Sequence, residues 1–173
     1  MNLPADDAAN LLGALALAVG ERMRAAVTGP AGHGGTLAEA VVVLKDQPGV
    51  TAEWLGRVLE ISQPGTAHLV RRLLALGWVE RRAGADARSR ALHLTPDGTA
   101  AAARILAARQ RALAELLEPL DAEQRDRLAE ITRAVLRPRA RDERSLARLC
   151  RLCDRSRCAR CPVHAGYLDH RPD

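Results

Sequence analysis

The stretch from 51 to 98 constrains this chain most. It reads as two short helices a tight turn apart, then two alternating strands, then a helix opened by proline. Thr51 can cap a helix over 52–59, with Glu53 in the first turn, where negative charge is favoured. Glu60-Ile61 makes the turn. Ser62 can cap the second helix, which runs to Leu76. Pro64 is tolerated in its first turn, where that N–H has no helical partner. Gly77 suits the left-handed position after the helix end. Leu69, Leu73 and Leu76 form the buried face, and Gln63, Thr66, His68, Arg71 and Arg72 lie largely elsewhere. From Trp78 the apolar period changes. Residues 78–82 read as a strand, AGADARS (83–89) as a turn-rich tip and 90–94 as the returning strand. Thr95-Pro96-Asp97 opens the next helix with Pro at its first position. This order is a winged helix-turn-helix. In that arrangement the second helix fits the major groove and the hairpin tip reaches phosphates or the minor groove.

The flanks read as helices. A helix over 6–27 carries an apolar stripe at Leu11, Leu12, Leu15, Val19 and Met23. GPAGHGG (29–35) reads as a loop. Thr36 caps a helix to about Asp46, which Pro48-Gly49 stops. A long Ala-rich helix reaches about Leu117, Asp121 caps the next one, and Pro138 ends it. An Arg-rich helix over 140–149 leads into the tail. The core must come from Leu, Val and Ala, since the chain has no Phe, and that suits packed helices. The expected fold is mainly α with a small β-hairpin wing, dimerising through N- and C-terminal helices. Its units are an N-terminal dimerisation helix and loop (1–35), a winged helix-turn-helix (36–98), C-terminal dimerisation helices (99–149) and a cysteine-rich tail (150–173). The 173 residues suffice for one domain with a real core and an appendage.

The formal net charge of +5 favours an anionic partner, chiefly nucleic acid or an anionic membrane surface. Each arginine alone reads as a solvated surface residue. Their joint placement argues for DNA: Arg71 and Arg72 on the second helix, Arg81 and Arg82 at the hairpin base, Arg88 and Arg90 near its tip. A protein-binding or dimer module is the competing reading of the same fold.

Positions 55–98, LGRVLEISQPGTAHLVRRLLALGWVERRAGADARSRALHLTPDG, resemble the MarR family of bacterial transcriptional regulators. Asp86-Ala87-Arg88-Ser89-Arg90 ahead of Leu92-His93-Leu94-Thr95-Pro96-Asp97-Gly98 resembles the family's wing, an Asp-x-Arg tip and a strand ending in Leu-Thr-Pro-x-Gly. The resemblance covers roughly 10–137. It implies a homodimer gripping a pseudo-palindromic operator on double-stranded DNA, usually as a repressor, and released by a small-molecule effector or an oxidant. It places Ser62, Gln63, Thr66 and His68 at base-reading positions and Arg88 at the wing residue that enters the minor groove. Arg71, Arg72 and Arg90 complete the DNA-facing set. His68 stands where Arg is common and Arg71 where an acidic residue is common, which bears on the operator sequence rather than on the binding mode. One recognition helix reads one half-site, so two-fold DNA symmetry calls for a two-fold protein. The stripe of Leu11, Leu15 and Val19 and the face around Leu128, Ile131 and Val135 are the expected pairing surfaces.

CRLCDRSRCARC (150–161) holds all four cysteines of the chain as two CxxC pairs, Cys150 with Cys153 and Cys158 with Cys161. Two chelating pairs match a four-thiolate metal site. Zinc suits it and supplies folding energy to a segment with no core of its own. An iron–sulfur cluster takes the same ligands, and Cys161-Pro162 is similar to the Cys-Pro that closes bacterial ferredoxin motifs. Spacing does not separate the two cofactors. A metal-free CxxC pair forming a regulatory disulfide is the third reading. From 137 to 161 nine arginines stand against three acids, which favours thiolate over thiol and offsets the negative charge of such a centre. His164 could replace one ligand, although an exposed tail histidine is the plainer reading. The resemblance also implies metal, since some MarR-like regulators carry a similar segment.

Acidic Asp6, Asp7 and Glu21 flank the first apolar run, which is too short to span a bilayer, so no signal peptide or membrane segment is expected. The chain reads as cytoplasmic, where thiols stay reduced. An enzyme is not expected. Redox CxxC motifs sit in a βαβ context, and GPAGHGG lacks the Lys-Ser/Thr of a phosphate loop. A metal-dependent protein-interaction adaptor or a thiol redox switch protein is the alternative to a DNA-binding regulator.

Overall fold

The computed structural model describes residues 3–31, 35–83, 90–158 and 160–170. Helices α1 (Leu3–Ala31), α2 (Gly35–Asp46), α3 (Ala52–Leu59) and α4 (Gln63–Ala75) precede the hairpin of β1 (Val79–Ala83) and β2 (Arg90–Leu94). Then come α5 (Pro96–Leu117), α6 (Ala122–Leu136), α7 (Glu143–Leu149) and α8 (Pro162–Asp169), with short 3₁₀ turns at Arg137–Arg139 and Arg155–Arg157. The expected mainly helical fold with one hairpin is the fold observed.

α2 is the centre of the molecule. Leu37, Ala38, Ala40, Val41, Val42, Val43 and Leu44 are all buried, so the helix is apolar nearly all round, as a helix enclosed by others must be. Around it lie Ala101, Ala102 and Ile105 of α5, Leu55 and Val58 of α3, Leu69, Val70 and Leu73 of α4, and Val79 and Leu92 of the hairpin. α1 lies along α5, joined at its surface by the ion pair of Arg22 with Glu115, and brings Val27 into this core.

Several boundaries differ from those read in the sequence. α1 runs on through Gly29 and Pro30, where a loop was expected. A proline near the last turn forfeits one helical hydrogen bond, and packing along α5 outweighs that loss. α2 begins at Gly35, so Thr36 lies inside it rather than capping it. α7 starts at Glu143, three residues later than expected. Asp142 caps it: the Ser145 N–H donates to Asp142 Oδ1 at 2.7 Å, and Ser145 Oγ accepts from the Asp142 N–H at 3.1 Å. The tail was expected to lack a core. It has a small one instead, of Ala140, Leu146, Cys150 and Val163, closed by α8. α8 approaches the 3₁₀ turn so closely that a Cβ on Gly166 would sit 1.7 Å from the Arg137 carbonyl oxygen.

The hairpin pairs Val79 with Leu94 through to Ala83 with Arg90, antiparallel. It is pinned to the body by the segment before α3. The Gly49 N–H donates to Leu92 O and the Leu92 N–H to Val50 O, each at 2.9 Å. Among the described residues no helix is long and apolar enough to cross a membrane.

Candidate nucleic-acid interface and cysteine cavity

Local chemistry sets α3 and α4 in place. The Trp54 N–H donates to the Thr51 hydroxyl at 3.2 Å, capping α3. Glu60 ends α3 in the left-handed region at φ 55°, an unusual conformation for a non-glycine residue, and the Ile61 N–H reaches back to Gly56 O at 3.1 Å. Ser62 caps α4, accepting from the Gly65 N–H at 3.3 Å. At the far end Gly77, at φ 67°, closes α4: its N–H bonds Leu74 O and the Trp78 N–H bonds Leu73 O.

The helices cross tightly at one point. A Cβ on Gly56 would lie 2.3 Å from Thr66 Oγ1, so only glycine admits α4 at this distance. Thr66 is 5% exposed, and its hydroxyl donates to Ser62 O at 3.0 Å. Expected among the base-reading residues, Thr66 instead packs its side chain against Gly56 of α3, away from the exposed outer face of α4. A signal was present in the sequence, because Thr66, Leu69, Val70 and Leu73 share one helical stripe.

That outer surface is exposed and carries Gln63, His68, Arg71 and Arg72, with Ser62 at its start. Among the described residues no ion pair engages Arg71 or Arg72; Arg57 is held by Glu53 at 2.7 Å and Arg82 by Glu80 at 2.6 Å. Arg90 is exposed where β2 begins. Arg88 and the rest of the expected tip beyond Ala83 lie outside the described residues. The result is a polar, cationic helix face beside a hairpin, fixed to a rigid core.

The two expected pairing surfaces are exposed on the single chain. Leu11 is 62% exposed, Leu15 is also exposed, and Ile131 and Val135 stand out from α6, which buries none of its own residues. Val19 and Leu128 are half-buried.

The four cysteines line one cavity of about 230 Å³, with Arg155 and His164 in its wall. All four are free thiols. Cys150 and Cys153 interact electrostatically as one pair, and Cys158 and Cys161 as the other. Among the described residues no three ligating side chains stand together in metal-bonding geometry. The donor set, four sulfurs around one space, fits a soft cation. The hydrogen bond from Cys150 holds the Cys153 thiol down to about 6 against its burial, with Arg109 and Arg155 assisting. The same bond, with burial, pushes the Cys150 thiol well up. Burial first, then the bond to Cys161, pushes Cys158 up to about 11. Cys161 also caps α8, its Sγ accepting from the His164 N–H at 3.4 Å. Arg109 was not foreseen. It lines an adjoining cavity with Cys153, and its Nε is buried with no hydrogen-bond partner among the described residues.

Residues 38–89 match the model of the MarR family. None of the curated proteins compared matches the chain. Solved structures do. The YusO protein of Bacillus subtilis is similar at 20% identity, over 78% of this chain and 96% of that one, with a TM-score of 0.65. The reduced form of MarR from E. coli is similar at 23% identity, over 72% and 96%, with a TM-score of 0.63. The Mycobacterium tuberculosis MarR family protein Rv2887, solved with salicylic acid, is similar at 27% identity, over 72% and 95%, with a TM-score of 0.57. This chain therefore has the winged helix-turn-helix fold of MarR-type proteins, and its helix-turn-helix segment carries that family's sequence pattern.

Proposed function

We infer that the protein is a DNA-binding transcriptional regulator that reads a pseudo-palindromic operator as a homodimer and acts as a repressor. The observation that carries this is the outer face of α4. It presents Gln63 and His68 with Arg71 and Arg72, on a helix whose opposite face is locked into the core. Gln suits a base edge and Arg a guanine edge or a phosphate. The exposed apolar faces of α1 and α6 supply a surface for the second copy. The salicylic acid in the Rv2887 structure supports a small-molecule effector in this fold, carried here as part of the same proposal. The cysteine tail is read as a metal centre, zinc or iron–sulfur, on the strength of four thiols around one cavity.

Selection of bound duplexes from a random pool, followed by anisotropy titrations at several salt concentrations, tests the reading. Gln63→Ala should relax sequence preference at one position and cost about 1–3 kcal/mol there. Arg72→Ala should weaken all duplexes alike and reduce the salt slope by roughly one. A protein that enriches no sequence and shows a flat salt dependence is not a DNA-binding regulator.

A further inference from the structure

The segment that carries the first two cysteines also grips the helix-turn-helix. α7 packs on α3. Along 148–155 the arginines alternate with the thiols. Arg148 Nη1 lies 2.6 Å from Glu60 Oε1, Arg151 Nε 3.1 Å from Glu39 Oε1, and Arg155 Nε 3.3 Å from Asp46 Oδ2. Between them Cys150 and Cys153 face the cavity. Glu60 is the left-handed residue that turns the chain from α3 into α4, so Arg148 holds the pivot of the reading head. Partly exposed ion pairs hold little singly. They act together only when the segment that bears them is itself fixed, and its own core is only a few side chains.

We propose that the cavity takes one soft divalent cation of the zinc class through Cys150, Cys153, Cys158 and Cys161, and that filling it fastens the 148–155 strap to the α3–α4 turn, so that the cation regulates the DNA-reading head. The regulatory half rests on the DNA-binding reading above. Both members of each CxxC pair line the same cavity. Two ligands of one tetrahedral zinc, at about 2.3 Å each, stand roughly 3.8 Å apart, a separation that the two thiols of a CxxC pair can adopt as they chelate. Two pairs facing one space complete the tetrahedron. The ion displaces the thiol protons, and the four-thiolate centre then carries a net charge of −2. Two cations stand by to balance it: Arg155 in the cavity wall, and Arg109 beside Cys153 with its buried Nε unpaired among the described residues. The strap is then closed at both ends, by the ion on one side and by Glu39, Asp46 and Glu60 on the other.

The test uses the full chain, stripped of metal under reducing conditions and titrated with zinc(II) against a chromophoric chelator. One equivalent should bind per chain, and Cys158→Ser, at an exposed position, should weaken it at least about tenfold. Hydrogen exchange then compares loaded and metal-free protein without DNA. Loading should slow exchange in the tail and, at least about fivefold, at the α3–α4 turn. Arg148→Ala should bind zinc as before and lose the slowing at the turn alone. Refusal of zinc overturns the site, as does uptake of iron with acid-labile sulfide in its place. Stoichiometric zinc with unchanged exchange at the turn overturns the strap. Finally, the loaded protein should bind its selected duplex at least about fivefold more tightly than the metal-free one. Equal affinity overturns the regulation. Failure of both forms to bind any duplex sinks the DNA reading, while the exchange data still decide the strap.

Discussion

Gly56→Ala should destabilise the protein, although alanine is the better helix former. The new Cβ would sit 2.3 Å from Thr66 Oγ1 and 3.2 Å from Thr66 Cβ and Cγ2. Thr66 cannot easily turn away. It is β-branched and buried, so rotating χ1 swings the methyl into the space the hydroxyl leaves. It also breaks the bond to Ser62 O. Overpacking of this kind costs about 1–3 kcal/mol. The lost hydrogen bond adds about 1 kcal/mol. Replacing an interior helix glycine by alanine returns about 1 kcal/mol. The packing term wins, and the net loss should be about 1–3 kcal/mol. Thr66→Ala removes the clashing oxygen and methyl and leaves only the 3.2 Å contact with Cβ, which offsets the helix-propensity gain, so in that background Gly56→Ala should be near neutral. The coupling between the two sites is then about 1–3 kcal/mol, above the 0.3–0.5 kcal/mol or so by which independent sites deviate from additivity. Urea unfolding of the four proteins at one fixed protein concentration measures it through the midpoints at constant slope. Equal effects of Gly56→Ala in both backgrounds would refute the claim that this contact sets the crossing of α3 and α4. Because α4 carries the proposed reading face, Gly56→Ala should also weaken duplex binding more than its stability loss accounts for.

The proposed homodimer should have twice the 18.6 kDa chain mass by light scattering at micromolar concentration. Ile131→Glu should halve that mass while leaving the single chain folded, since Ile131 is 62% exposed within it. A monomeric wild type would remove α1 and α6 as a pairing surface. Hydrogen bonds from Ser145 hold the Asp142 carboxyl below its ordinary range. A carboxylate lowered on folding stabilises the fold above its unfolded pKa and loses that contribution as pH falls through the folded one. Exchange protection over 143–149 should therefore fall as pH drops below about 4, before that of the core does. Asp142→Asn should keep the cap and lose that pH dependence, and an unaltered acid profile in the variant would contradict the assignment.

The sequence was most legible where a residue's role is local. Thr51, Ser62, Thr95 and Asp121 cap the helices that follow them, as their types and positions imply. The change of period at 78–94 appears as a real hairpin, paired from Val79 with Leu94. Errors arose where tertiary contact overrode a local cue. Pro30 and Gly29 look like a helix end, yet α1 continues because α5 lies beside it. The tail looked coreless because its few apolar residues are scattered. Val163 nevertheless meets Leu146 and Ala140, which lie some twenty residues earlier, and Gly166 lets α8 rest on the Arg137 backbone. Part of that was readable, since Pro162 at a first helical position with Val163 and Tyr167 four apart is a helix pattern. Glu60 gave no such sign: nothing in its side chain announces a left-handed turn.

Charge is where counting along the chain misleads most. The arginines of 137–161 exceed the net charge of the whole protein, so the tail looks like the cationic surface. Among the described residues five of those nine arginines pair with carboxylates, and three of the five reach acids of the other half: Glu39, Asp46 and Glu60. Two things follow from that exchange. The tail spends much of its positive charge on internal contacts. At the same time it neutralises acids on α2 and at the α3–α4 turn, close to the proposed reading head. The field in front of α4 is then set by Arg71 and Arg72 with less opposition from their own domain. Ion pairs within the tail can in this way raise the protein's attraction for DNA without a direct contact, and in the proposed strap the same pairs would carry the state of the cysteine cavity to the helix-turn-helix.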